Sequence, residues 1–139
     1  MVDRSARDVA ADVLRQFMEG AISNREYERR FPTSKDDPAL RAIYSNVWFV
    51  YSDSPEHTLT GPRAPDKTRR ALLERCVAFL RSDVEFQWPA PKFRLWYGIM
   101  RLVGLGRLLK RREEKEMNVG DVDVWPFLNR AEYENTCRP

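Results

Sequence analysis

Apolar residues recur at helical spacing along most of this chain. Between Ser5 and Glu19, Val9, Val13 and Phe17 stand four residues apart, joined by Ala10, Leu14 and Met18. That stripe describes an amphipathic helix with one buried face, and Gly20 supplies its stop. A shorter helical piece follows, with Asn24 as cap, Glu26 and Glu28 in its first turn, and Tyr27 and Phe31 four residues apart before Pro32. The third pattern is the clearest. Ser34 or Asp36 caps it, Pro38 suits a first-turn position, and Leu40, Ile43, Tyr44, Val47, Trp48 and Tyr51 line one face. Phe49 and Val50 widen that face, so this helix is expected to be central and Trp48 to be buried. Asp36 and Asp37 complement the positive end of its dipole.

Pro55, Gly61, Pro62 and Pro65 mark residues 52–65 as a loop. A fourth helix is predicted over 66–82, with Leu72, Leu73, Cys76, Val77 and Leu80 inward and Arg69, Arg70, Glu74, Arg75 and Arg81 outward. Val84, Phe86 and Trp88 then alternate with Glu85 and Gln87, the period of an extended segment, which Pro89 and Pro91 end. A long fifth helix is predicted over 92–117, a second extended stretch over 122–126 after a Gly120-Asp121 turn, and a short terminal helix over 130–134. There is no internal repeat, low-complexity tract or linker. The expected architecture is mainly α: a compact single-domain helical bundle of about five helices with two short extended segments, covering 1–139. The Trp88-Pro89 and Trp125-Pro126 dipeptides each end an alternating segment; tryptophans wedged between helices explain them more economically than a paired ribbon does, since proline limits strand length.

Composition fits this picture. At 139 residues, 42% apolar and 12% aromatic, the chain can bury a core of one ordinary domain. The charge-alternating start, residues 1–8, lacks the apolar core of a signal peptide, and the longest uncharged run, 42–52, is too short to span a bilayer. Two cysteines, Cys76 on an apolar face and Cys137 in the tail, do not make a disulfide scaffold, and a cytoplasmic location is expected.

Net charge is +3, unevenly spread. Residues 1–66 carry 9 basic and 11 acidic side chains, residues 67–112 carry 12 and 3, and residues 113–139 carry 3 and 7. The predicted fifth helix concentrates the excess. From 92 to 112 it has seven basic residues and no acid: Lys92, Arg94, Arg101, Arg107, Lys110, Arg111 and Arg112. A basic amphipathic helix binds phosphates, an anionic membrane surface or an acidic protein, unless its charge is neutralised by the acidic flanks of the same chain. Arg101, Arg107, Lys110, Arg111 and Arg112 are the candidate partner-binding residues.

No catalytic constellation stands out. His57 is the single histidine, in a loop, and nucleophile–base–orienter geometry is normally held by separate rigid elements. One His and two distant Cys give no zinc spacing. Asp36-Asp37 reads as a helix start, and Glu113, Glu114 and Glu116 as a solvated helix end. Glu85 beside Trp88 is the one carboxylate set near an aromatic wall, although an outward-facing strand position explains it as well. Gly104-Leu105-Gly106-Arg107-Leu108-Leu109 starts like a dinucleotide fingerprint, but Leu109 replaces its third glycine and the stretch falls inside a helical pattern.

The segments Phe79-Leu80-Arg81-Ser82-Asp83-Val84-Glu85-Phe86-Gln87-Trp88-Pro89 and Gly120-Asp121-Val122-Asp123-Val124-Trp125-Pro126-Phe127 resemble, at this spacing, a group of small uncharacterised bacterial proteins of similar length. The resemblance covers roughly Leu72 to Tyr133 and implies no enzymatic activity and no site residues. In size and type the chain also resembles immunity proteins of toxin–immunity pairs, many of which are acidic where this chain is basic. The expectation is a protein-binding protein without cofactor or metal, of the immunity or antitoxin type, with a nucleic-acid-binding regulator acting through residues 92–112 as the alternative.

Overall fold

In the computed structural model, which describes residues 1–51, 55–89 and 119–138, each helix begins where a short polar side chain can take up its first free amides. The Asp3 carboxylate accepts from the Ala6 amide at 3.0 Å and starts α1, Arg4–Met18. Gly20, at φ +74°, turns the chain out of it as the sequence predicts. Helix α2, Asn24–Arg30, is capped by Ser23, one residue before the expected Asn24. Ser23 and Glu26 form a reciprocal capping box, which satisfies two amides where Asn24 would satisfy one. Helix α3, Pro38–Val47, is capped by Asp37 rather than by Ser34 or Asp36. Asp66 caps α4, Lys67–Leu80, and Asn129 caps α5, Arg130–Cys137. The fold is mainly α, as predicted.

Among the described residues there is no strand. Val84, Phe86 and Trp88 are half-buried and Glu85 and Gln87 exposed, so the alternation of the first extended segment survives without a pairing partner. The second differs from expectation. Val122–Val124 is a 3-10 turn, because the Asp121 carboxylate accepts from the Asp123 amide at 3.0 Å and closes the chain on itself. The predicted helix over 92–117 lies outside the described residues. No described helix is long and apolar enough to cross a membrane.

The core is one apolar cluster with two aromatic centres. In the first, Tyr27 stacks on Phe17 at 4.7 Å and on Tyr44 at 5.9 Å, with Phe31 and Tyr51 at their edges. In the second, Phe79 meets Phe127 edge-on at 5.1 Å, and Tyr133 of α5 closes over Phe127. Trp88 joins the C-terminal segment to the rest: its indole N–H donates to the carbonyls of Pro126 and Phe127. Arg75 Nε donates to the Trp125 carbonyl at 3.2 Å. Both tryptophans are therefore half-buried at the edge of the core.

Three apolar residues expected on buried helix faces are exposed, and Phe49, just past α3, is the most so at 63%. Val9 is 49% exposed, whereas Arg7 is fully buried. Trp48, at the C-cap of α3, is 42% exposed.

Candidate functional site

Charge inside a protein is costly unless it is paired and fully hydrogen-bonded, so Arg7 and Asp37 come first. Arg7 Nε donates to Asp37 Oδ2 at 2.6 Å and Nη2 to Oδ1 at 3.1 Å, a bidentate pair. Nη1 donates to the carbonyls of Ser82 and Val84, and the guanidinium lies 5.0 Å from the Phe79 ring centre. Asp37 further accepts from the amides of Asp3 and Ala39. The pair thus ties the start of α1, the start of α3 and the chain leaving α4. Arg4 adds to it by donating to the carbonyls of Leu80 and Ser82 and to Asp8, while Arg81 pairs with Asp12. The Arg7–Asp37 pair, with side-chain exposures of 0% and 1%, has no access to a substrate. It is a scaffold, and Asp37 does more than start a helix.

The remaining polar candidates are equally structural. The His57 amide donates to Asn24 Oδ1 at 2.9 Å and its carbonyl accepts from the Asn24 amide, so this residue pins its loop to α2. Its Nδ1 stands 2.7 Å from the Pro55 carbonyl, and among the described residues no carboxylate or nucleophile is bonded to it. Glu85 is exposed and lies 3.7 Å from the Met1 amino group. Cys76 is buried and Cys137 exposed, both free thiols. Burial pushes the Cys76 thiol up to about 12, which keeps it protonated and unreactive. No cluster of metal-ligating side chains occurs among the described residues. The candidate partner-binding residues Arg101, Arg107, Lys110, Arg111 and Arg112 lie outside the described residues, as do the Gly104–Leu109 segment and Glu113, Glu114 and Glu116.

What the described surface does offer is a flank of α3. At about 100° per residue, Arg41 and Trp48 fall within some 20° of one another on the side of the helix turned away from its buried Leu40–Ile43–Val47 face, and half-buried Tyr44 lies between them and that face. Beside them a cavity of about 360 Å³ opens between the end of α2 and the first turns of α3. Phe31, Pro32, Leu40 and Tyr44 give it apolar walls, and Glu28 and Arg41 stand at its polar edge. Glu28 is engaged, accepting from Tyr51 Oη at 3.0 Å and pairing with Arg25 at 3.2 Å. Among the described residues Arg41 is exposed and makes no ion pair. Further along the flank, the exposed Trp48 ring meets Phe49, itself 63% exposed, edge-on at 5.4 Å. The third helical pattern had every one of these residues in view but assigned Trp48 to the core. The signal that separates them is angular: Trp48 lies two turns from Arg41, whereas Ile43 and Val47 lie with Leu40.

Compared with family models, with curated proteins and with solved structures, the chain finds no match.

Proposed function

We propose that this is a protein-binding protein whose partner docks on the outer flank of α3, around Trp48 and the cavity beside it. The supporting observation is the exposure of Trp48 and Phe49 in continuity with Arg41 and Tyr44. Tryptophan, tyrosine and arginine dominate the binding energy of protein interfaces, and large aromatic rings left in water are costly unless something covers them. Inhibition of a partner needs only such a rigid surface, so an immunity-type protein that neutralises a bacterial toxin in the cytoplasm is the form of this function that size and type favour. The basic stretch at 92–112 supports the alternative of a nucleic-acid-binding regulator through charge alone.

A photo-reactive benzoylphenylalanine in place of Trp48 tests the proposal, with the same group at exposed Val9 as control. In cells of the native host, irradiation should give a discrete protein adduct from position 48 and none from position 9. The purified partner should bind Trp48→Ala about tenfold or more weakly than wild type. If that partner is toxic when expressed alone, co-expression of this protein should restore growth. Absence of a position-48 adduct, or a nucleic acid in its place, would overturn the proposal.

A further inference from the structure

The cavity edge carries a charge that no acid among the described residues pairs with. Glu28, the carboxylate lining it, accepts from Arg25 and from the Tyr51 hydroxyl and forms no ion pair with Arg41. Arg41 lines the same cavity, is exposed, and makes no ion pair among the described residues. Its neighbours Phe31, Pro32, Leu40 and Tyr44 present apolar surface, and Phe31 and Leu40 are nearly inaccessible to water, so they form a floor rather than a rim. About 360 Å³ lies at the small end of ligand cavities and suits one large side chain better than a cofactor. An apolar floor beside one unanswered guanidinium is complementary to an aromatic ring flanked by a carboxylate, because the ring is desolvated on the floor while the acid meets the fork of the arginine.

We infer that the α2–α3 cavity is the specificity pocket of the proposed interface, and that it takes an aromatic side chain from an acidic segment of the partner protein. This rests on the protein-binding function proposed above and assigns it a partner chemistry. Trp48 supplies contact area beside the pocket, and Arg41 selects the charge of what enters it.

Amide-resolved NMR titrations of the full chain test this with three blocked peptides: acetyl-Glu-Phe-Glu-Gly-amide, acetyl-Lys-Phe-Lys-Gly-amide and acetyl-Glu-Ala-Glu-Gly-amide. The acidic phenylalanine peptide should shift the amides of Phe31, Leu40, Arg41 and Tyr44 at millimolar concentration. It should bind about fivefold more tightly than the basic peptide, the most that a partly solvated ion pair supports, and the alanine peptide should not bind. In Arg41→Glu, which changes an exposed side chain and leaves the floor intact, the preference should reverse toward the lysine peptide. Equal affinity for the two charge forms, no reversal in the variant, or shifts mapping away from the cavity would each overturn the pocket assignment. A position-48 cross-link obtained alongside such a failure would leave the α3 flank as an interface with this pocket unused, so the two proposals fail separately.

Discussion

Arg7 occupies a position where a helix stripe ordinarily carries leucine. It sits seven residues from Leu14, on the same side of α1, and its charge is tolerated because every accessible oxygen around it is an acceptor: Asp37 on one side, the Ser82 and Val84 carbonyls on the other. Removing one partner of such a pair leaves an uncompensated buried ion, so Arg7→Ala and Asp37→Ala are each expected to cost about 3–5 kcal/mol in urea unfolding. The double substitution should cost clearly less than the two together, and simple additivity would mean that the ions do not depend on each other. A second buried pair of groups sets the response to alkali. Tyr27 Oη is buried without a hydrogen-bond partner among the described residues, and burial raises its pKa well above 10; Cys76 is pushed up to about 12 by the same cause. In the unfolded chain the thiol ionises near 9 and the phenol near 10, whereas the folded chain keeps both protons. The folded state thus binds more protons above about pH 9, and stability must fall as pH rises from there toward 12, being fully present below. Urea midpoints measured at about pH 8 and pH 11 should differ less in Cys76→Ala/Tyr27→Phe than in the wild type. An unchanged pH dependence would place both groups in contact with water.

Element by element, what the sequence made legible was periodicity, and what escaped it was phase. The start of α3 follows from Pro38, those of α4 and α5 from the polar residues ahead of each pattern, and the stop of α1 from Gly20, whereas α3 ends at Val47, short of Tyr51, and α5 runs on to Cys137. Val9 misleads because residues four apart drift by about 40° per step around a helix. The row Val9–Val13–Phe17 therefore runs out of the buried arc at Val9, while Val13 and Phe17 stay buried in the arc that Leu14, Arg7 and Ala10 share. A charged residue at the centre of an apolar arc was the available sign that a buried acid would be needed, and Asp37 was read only for its effect on a dipole. Trp48 errs in the same sense: hydrophobicity assigned it to the core, yet it lies about 110° from the middle of the Leu40–Ile43–Val47 face and at the helix end. Its neighbour on that face, Ile43, is fully buried. Ile43→Ala should accordingly cost about 2–5 kcal/mol, while Trp48→Ala should change stability by about 1 kcal/mol or less. Chemical denaturation of the two variants under one set of conditions checks this, and a large loss from Trp48→Ala would return that ring to the core and remove the exposed flank of α3. The short stretch 122–124 failed for a different reason. Alternating Val and Asp reads as extended, but Asp at position 121 can accept the amide two residues on, and that local bond competes directly with a strand that has no partner.

At the scale of the whole molecule, charge separates the two functional classes. The excess of 12 basic over 3 acidic residues across 67–112 is a fact of the sequence, and part of it is already answered: Arg69, Arg70 and Arg81 are paired with Asp66, Glu74 and Asp12. What a nucleic acid would use is Arg101, Arg107, Lys110, Arg111 and Arg112. Contacts of that kind release counterions, so affinity falls by about 0.9 of a log unit per log unit of salt for each phosphate met. A protein partner engaging an aromatic flank with one arginine should respond to salt mildly and mainly through its association rate. The expected outcome is weak retention of duplex and single-stranded oligonucleotides at physiological salt, in the range of about 10⁻⁴–10⁻⁶ M that non-specific attraction supplies. Fluorescence anisotropy at two salt concentrations measures it. Sub-micromolar binding at the higher salt, abolished in a folded Arg107/Arg111/Arg112→Ala variant and unaffected by Trp48→Ala, would move the function from the α3 flank to the basic stretch. If the modest attraction instead disappears with added salt while the position-48 adduct persists, the positive charge acts only as long-range steering toward an acidic partner. The unanswered guanidinium of Arg41 is placed to meet that same sign of charge at short range.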